Sequence, residues 1–314
     1  ILRYNGYPLI KEFSIVALLN ITTILWAFSF SLIGEYLAGS VDSYFSVLMR
    51  VGLAALVFLP FLRTRGQSPR TIVLYMLVGA MQLGIMYLLA FRAYLYLTVS
   101  EFLLFTVFTP LYITLIYDLL SGRKLRWGYL LSAALAVLGA AIIRYDKVSD
   151  HFWTGLLLVQ LSNLCFAIGM VGYKRLMEVR PMPQHNAFAW FYVGAFIVAV
   201  AAWFMLGNAQ KLPTTTLQWS VLVWLGVVAS GLGYFMWNYG ATQVDAGTLG
   251  IMNNVHVPAG LLVNLAIWQE QPHWPSFISG ALVILASLWV HRRWVAPHSG
   301  QTADDRRRGS AQSE

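Results

Sequence analysis

The chain has 314 residues, of which 58% are hydrophobic and 11% are charged. So few charged side chains cannot cover a soluble globule of this size, and the mean hydropathy of +0.64 indicates a protein that lies in lipid. A net charge of +8 would indicate nucleic acid as the partner of a soluble protein, but here the basic residues form short clusters between apolar runs, which is typical of loops near anionic headgroups. We therefore expect a lipid bilayer and no nucleic acid as partner.

At about 20 apolar residues per crossing, the sequence predicts ten membrane helices. They cover residues 13–37, 43–62, 70–95, 99–120, 126–145, 152–175, 186–207, 217–240, 246–269 and 275–295. We interpret the first run as a membrane span and not as a cleaved signal peptide, because it is long enough to cross a bilayer. Residues 296–314, which include DDRRRGS, are expected to form a disordered cytoplasmic tail.

Lysine and arginine are distributed unequally between alternate loops. One side of the predicted bundle holds sixteen of the 21, whereas the other holds Arg144, Lys147 and Lys211. Because loops rich in lysine and arginine stay in the cytoplasm, we expect a multi-pass protein of the inner (cytoplasmic) membrane with both termini cytoplasmic.

The chain contains one hydrophobic unit twice. Pro110 and Pro258 each interrupt a long apolar run, 148 positions apart, and the same offset pairs Ala93 with Ala241. Each unit contains five predicted helices, an odd number, so the second unit must enter the membrane from the opposite side. The sequence therefore predicts two inverted repeats, 13–145 and 152–295, the arrangement that supports alternating access in transporters.

Several motifs resemble the drug/metabolite transporter superfamily, specifically its EamA-type ten-helix exporters. They are ILWAFSF with Trp26, MRVGLAAL with Arg50, and the paired blocks AYLYLTVSEFLLFTVFTPLYITLIYDLLSGRKLRW and GATQVDAGTLGIMNNVHVPAGLLVNLAIWQEQPHW. The resemblance covers about residues 13–295, although Gly122-Arg123 stands where Gly-Glu is usual.

This resemblance implies an all-α integral membrane protein with ten transmembrane helices arranged as two inverted five-helix EamA repeats. It implies a secondary transporter without a cofactor, whose first, third, fourth, sixth, eighth and ninth spans surround a central cavity. Export is a tendency of the family, and its substrates include amino acids, nucleotide sugars and polyamines.

Comparing the two repeats locates a polar cluster. At the 148-residue offset, Phe105, Thr106 and Phe108 of the first unit become Asn253, Asn254 and His256 of the second. Polar groups in hydrocarbon are costly when unsatisfied, so this turn must face a partner helix or a wet cavity. We expect a substrate site; the alternative is that the amides only tie neighbouring helices together.

A second cluster contains Arg50, Arg92 and Glu101. With two arginines and one carboxylate, an Arg92–Glu101 ion pair would leave one guanidinium to bind a substrate carboxylate. An ion pair that only locks the end of the bundle is the alternative interpretation.

Further candidates lie on other predicted spans. Trp26, Tyr87, Trp237 and Tyr239 are expected to line the cavity, and Asn20, Gln82, Asn163 and Asn238 add polar positions. Glu101 and His256 are candidates for proton coupling, and Pro110 and Pro258 for gating.

No Walker A loop, HExxH, CxxC or GxSxG occurs, which argues against ATP hydrolysis, a metal site and an enzyme. A membrane enzyme and a channel are the rival classes. We expect export of a small carboxylate-bearing metabolite, an amino acid or an amino-acid derivative. An opine-type metallophore, or cationic drugs and polyamines, are the alternative substrates, and a homodimer is left open.

Topology is testable by cysteine accessibility on a Cys165→Ala background. Single cysteines in loops 63–70 and 121–126 should react with a membrane-impermeant maleimide only after the cells are opened. Labelling of either loop in intact cells would contradict the predicted orientation.

Overall fold

The computed structural model describes residues 7–120, 150–244, 256–269 and 274–294, with positions 131, 134, 135, 138, 139, 142, 249, 252 and 253. These residues are helical or lie in turns and contain no β-strand, which confirms the all-α prediction. Within the described part, seven helices are long and apolar enough to cross a membrane, and two shorter apolar helices follow. Only six positions of the predicted span 126–145 are described, and the tail 296–314 lies entirely outside the described residues.

We number the helices in chain order. They are α1 (Tyr7–Tyr36), α2 (Ser43–Phe58), α3 (Pro69–Gly79), α4 (Met86–Ala93), α5 (Val99–Thr106), α6 (Thr109–Leu120), α7 (Asp150–Val179), α8 (Gln184–Leu206), α9 (Thr216–Trp224), α10 (Gly233–Ala241), α11 (His256–Trp268) and α12 (Trp274–Trp294). A 3₁₀ turn, Leu59–Phe61, follows α2. Two π-helical segments, Ala80–Ile85 and Leu225–Leu232, join α3 to α4 and α9 to α10, so each pair forms one span.

Polar side chains define where several spans begin. Asp42 accepts a hydrogen bond from the Phe45 amide at 2.9 Å at the start of α2. Capping boxes begin α5, with Thr98 and Glu101, and α9, with Thr215 and Gln218. Each box satisfies amides that have no partner inside the helix, and so these spans begin within one residue of the predicted positions 43, 99 and 217.

The bundle has apolar side chains outside and polar side chains inside. Phe204 is 82% exposed and Leu56 62%, whereas Gln82 and Asn238 are fully buried. Large apolar side chains on the outer surface are unfavourable in water but match hydrocarbon, which indicates that lipid surrounds these helices.

Helices of the two predicted repeats cross closely at glycines. A side chain at Gly79 would overlap the carbonyl oxygen of Phe191, and one at Gly194 would overlap that of Met76, so α3 and α8 meet backbone to backbone. Gly226 makes a similar crossing between the second π segment and α2, where a side chain would overlap Leu53, whereas Gly52 of α2 faces Phe196 of α8. Small residues permit such close packing in membranes, where apolar burial supplies no driving force between helices.

The α3–α8 crossing should tolerate no Cβ at position 79. Gly79→Ala should lower the thermal midpoint in detergent, because overpacking costs roughly 1–3 kcal/mol. Fluorescence-detected gel filtration after heating measures the midpoint. Gly233→Ala is the matched control, since its Cβ would meet its nearest neighbours at 3.4 Å. Equal midpoints for both variants would contradict this packing.

Candidate functional site

A cavity lies inside the bundle and receives side chains from both predicted repeats. It is lined by Trp26, Ser29, Phe30, Ile33, Arg50, Met86, Tyr87, Ala90, Phe91, Tyr94, Phe102, Thr106, Thr109, Ser162, Asn163, Phe166, Tyr234, Asn253 and His256. The spans expected from the family resemblance contribute to this lining, and α2 adds Arg50. About 60 Å³ of the cavity admits the centre of a water molecule, so the cavity is narrow in this conformation.

Arg50 brings a positive charge into the cavity. The residue is 3% exposed, its Nε donates to Ser230 Oγ at 2.6 Å, and its guanidinium carbon lies 4.2 Å from the centre of the Tyr87 ring. The Tyr87 hydroxyl also contacts Ser230 Oγ, at 2.9 Å. Among the described residues no carboxylate lies within 4.0 Å of this guanidinium. The arginine is therefore oriented by neutral groups, and its charge is not neutralised by a side chain described here.

The π segment 225–232 explains how Ser230 reaches this position. A π-helical turn is wider than an α-helical turn and leaves carbonyl oxygens for side-chain donors. Trp26 Nε1 donates to the Ala229 carbonyl at 3.2 Å, and the Tyr192 hydroxyl donates to that of Ser230 at 2.8 Å. These bonds fix the segment against α1 and α8 and present the Ser230 hydroxyl to Arg50.

On another wall, one span is interrupted between α5 and α6. Pro110 has no amide hydrogen, so the Thr106 carbonyl loses its usual helical donor and accepts instead from Thr109 Oγ1 at 2.7 Å. The Phe105 carbonyl accepts from Asn163 Nδ2 at 2.9 Å. Discontinuous helices of this kind form substrate sites in many transporters.

His256 lies in α11 and packs against this interruption. Its Nε2 lies 3.0 Å from Thr106 Oγ1, and its ring centre lies 5.3 Å from that of Phe30. His256 and Asn253 are 3% and 2% exposed, and both line the cavity.

Some of the predicted site residues line the same cavity, and the others do not. Trp26, Arg50, Tyr87, Asn163, Asn253 and His256 line the one cavity. Asn254 lies outside the described residues.

The remaining predicted site residues lie elsewhere. Arg92 is only half-buried and lies 5.8 Å from the centre of the Tyr44 ring. Glu101 accepts from the Thr98 amide at 2.9 Å in its capping box, and it forms no ion pair with Arg92. The expectation that these two residues pair is therefore wrong, because a helix cap takes up the carboxylate.

The remaining aromatic and proline candidates do not line the cavity. Trp237 stands behind Trp26, 5.1 Å between ring centres, and donates to Met170 Sδ at 3.3 Å, so it supports the cavity wall without lining it. Tyr239 is 37% exposed, and Pro258 is exposed. Pro110 acts through the carbonyl that it leaves free, since its ring is not among the groups that line the cavity.

Sequence reasoning did not single out Ser230, which contacts both Arg50 and Tyr87. A signal was present, because Ser230 is the 148-residue counterpart of Gln82, a position already noted as polar.

A sequence model of the EamA-like transporter family matches residues 13–145 and 153–292. The chain belongs to this family. Relatives of this EamA-like transporter include proteins named "Biotin transporter" from Escherichia coli (strain K12) and Salmonella typhimurium; each is 83% identical over 299 residues, which is 95% of this chain and 100% of the relative. A Pseudomonas aeruginosa protein named "Probable biotin transporter" is 56% identical over 272 residues, 86% of this chain and 95% of its own.

A solved structure titled "Crystal structure of protein" matches this EamA-like transporter with a TM-score of 0.63 and 17% identity, covering 88% of this chain and 97% of the other. At that identity the match supports the fold alone. With the family and the apolar spans, these findings make the protein a multi-pass membrane transporter of small molecules and not an enzyme.

A buried amide pair outside the cavity joins the third span of each predicted repeat. Gln82 Nε2 donates to Asn238 Oδ1 at 2.9 Å, and Asn238 Nδ2 donates to Gln82 Oε1 at 3.2 Å. Replacing one amide leaves the other buried without its partner, which costs about 1–3 kcal/mol, whereas replacing both removes that penalty.

Gln82→Leu and Asn238→Leu should therefore each lower the thermal midpoint of this EamA-like transporter. The double variant should melt above at least one of the single variants. Additive losses in the same detergent melting assay would show that the two amides do not act as a pair.

Proposed function

We propose that this EamA-like transporter carries biotin across the membrane and that Arg50 binds its carboxylate. The observation that carries the proposal is a buried guanidinium that faces the cavity without an acidic partner among the described residues. The names and identities of the relatives support biotin, which is a small monocarboxylate.

Arg50 suits a ligand that supplies negative charge. A buried arginine is costly in a membrane interior unless something neutralises it, and such residues commonly mark substrate sites. Because Nε already donates to Ser230, the terminal nitrogens are the groups that a carboxylate would contact. Two parallel hydrogen bonds from a guanidinium give both affinity and orientation.

The cavity favours a monocarboxylate over the other substrates considered. Its described lining contains no aspartate or glutamate, so the ammonium group of an amino acid, a polyamine or a cationic drug would find no counter-charge there. An opine-type metallophore carries several carboxylates and would need both arginines, but Arg92 lies outside the cavity.

We also propose that transport proceeds by alternating access between two inverted repeats, 13–145 and 152–295, in the inner membrane with both termini cytoplasmic. Support comes from the two π segments, since Ala80–Ile85 shifted by 148 positions falls on 228–233 and overlaps Leu225–Leu232. The unequal loop charges support the orientation. Of the coupling candidates, His256 is the one that lines the cavity.

Purified protein in liposomes tests the substrate and the role of Arg50. Labelled biotin should exchange against internal biotin. Arg50→Gln should lower the affinity for biotin by roughly 30-fold or more, because truncating one partner of a buried charge pair costs about 2–5 kcal/mol. Arg92→Gln is the matched control, and it should bind and exchange biotin with the affinity of the wild type.

Biotinamide, which lacks the negative charge, separates carboxylate recognition from general damage. The wild type should prefer biotin over biotinamide strongly, and Arg50→Gln should lose this preference. The proposal is wrong if the wild type moves an amino acid or a polyamine but not biotin, or if Arg50→Gln keeps the preference.

A further inference from the structure

Neighbouring hydrogen bonds determine which nitrogen of His256 carries the proton. Thr106 Oγ1 lies 2.6 Å from the Leu103 carbonyl oxygen, a separation that requires the hydroxyl proton to lie between them. A hydroxyl has one proton, so Thr106 Oγ1 must accept from His256 Nε2 at 3.0 Å. Assigned from this network, the neutral imidazole has its proton on Nε2, and Nδ1 is an acceptor.

Two complementary polar atoms, Nδ1 of His256 and Nδ2 of Asn253, are buried in this part of the protein. Neither atom has a hydrogen-bond partner among the described residues. The first is an acceptor, the second is a donor, and both residues line the cavity. Buried polar atoms are normally paired in proteins, because an unpaired one loses its hydration without compensation. These two atoms therefore suit a ligand that places an acceptor near Asn253 Nδ2 and a donor near His256 Nδ1.

If Asn253 only tied helices together, its amide nitrogen would be bonded to a neighbouring helix, as that of Asn163 is bonded to the Phe105 carbonyl. The Asn253 amide nitrogen has no such bond to any residue that the structure describes. A carboxylate offers acceptors alone and an ammonium offers donors alone, so neither satisfies both atoms. A urea or amide group offers a carbonyl beside an N–H and satisfies both.

We propose that Asn253 and His256 recognise the cyclic urea of the substrate, with Asn253 Nδ2 donating to the urea carbonyl and His256 Nδ1 accepting from a ring N–H. This inference rests on the proposed function, since the urea and the carboxylate are the two polar ends of biotin. Arg50 then selects for the acid, and Asn253 and His256 select for the ring system.

Aromatic side chains next to His256 provide a matching apolar surface. Phe30 lies 5.3 Å from the His256 ring and 5.6 Å from Phe102, and Phe102 stacks on Tyr94 with ring centres 4.3 Å apart. A compact fused ring can pack on these faces while its urea edge reaches the donor and the acceptor. The hydroxyl of Tyr94, which is buried and has no partner in the described part of the chain, adds a polar atom to the same surface.

Two biotin analogues distinguish the urea from the rest of the substrate. Desthiobiotin keeps the urea and the carboxylate but lacks the sulfur-containing ring. In 2-iminobiotin an imino group replaces the urea carbonyl oxygen, so the group is a guanidinium at neutral pH and offers donors alone. In competition with labelled biotin in liposomes, desthiobiotin should compete well with the wild type, and 2-iminobiotin should be weaker by roughly 10-fold or more.

Asn253→Asp replaces the donor with acceptors and should reverse this ranking, so that 2-iminobiotin competes better than biotin. Asn253→Leu should reduce the difference between the affinities for biotin and 2-iminobiotin. His256→Phe should lower the affinity for biotin by roughly 10-fold. It should keep the preference for biotin over biotinamide, because that preference depends on Arg50.

Thr22→Val is the matched control. Thr22 lies on α1 but does not line the cavity, and its hydroxyl donates to the Leu18 carbonyl at 3.0 Å, so its loss should leave the analogue ranking unchanged.

The outcomes separate the urea site from the proposed function. If the wild type carries biotin with an Arg50-dependent preference for the carboxylate, but Asn253→Leu and His256→Phe keep the wild-type affinities and ranking, the urea site is wrong and the proposed function stands. If the wild type neither binds nor carries biotin, the proposed function fails and this inference fails with it. Gel filtration in detergent shows whether Asn253→Asp folds. If it does not fold, Asn253→Leu decides whether Asn253 contacts the urea.

Discussion

A carbonyl oxygen that loses its helical partner inside a bilayer must find another donor, because hydrocarbon provides none. This constraint organises the centre of the protein. Where Pro110 interrupts one span, Thr109 and Asn163 donate to the exposed carbonyls, and where the second π segment widens another span, Trp26 and Tyr192 do so. The side chains that satisfy the backbone also connect helices that are distant in sequence. Their repeated use gathers a few polar groups around a cavity whose lining is otherwise mainly apolar and aromatic.

The buried arginine depends on this arrangement. Ser230 reaches Arg50 from within the π segment, and the segment is itself fixed by bonds from α1 and α8. An arginine oriented by a serine hydroxyl and an aromatic ring keeps its charge available, whereas a bonded carboxylate would neutralise it. The arrangement therefore suits reversible binding of an anion, which a transporter must release on the other side of the membrane.

The proposed site would use two kinds of recognition. Arg50 would provide charge, and Asn253 with His256 would provide a neutral donor and acceptor in the same cavity. A solute that satisfies both must carry an acid and an uncharged polar group, joined through an apolar body that meets the aromatic faces. If the proposed function holds, amino acids and polyamines would be disfavoured, because no acidic side chain of the described lining compensates an ammonium group.

The sequence by itself determined the membrane location and the boundaries of most spans in the described part of the chain, and it predicted the two repeats and singled out Asn253 and His256. These follow from local chemistry: crossing a bilayer takes about 20 apolar residues, helix ends need caps, and polar atoms in lipid need partners. Only the tertiary structure decided which polar residues meet. It placed Arg50 in the cavity and Arg92 outside it, put Trp237 behind Trp26, and brought Ser230 to Arg50 across 180 positions of sequence. The direction in which a side chain points around a helix depends on how that helix packs against its neighbours, and these contacts lie far apart along the chain.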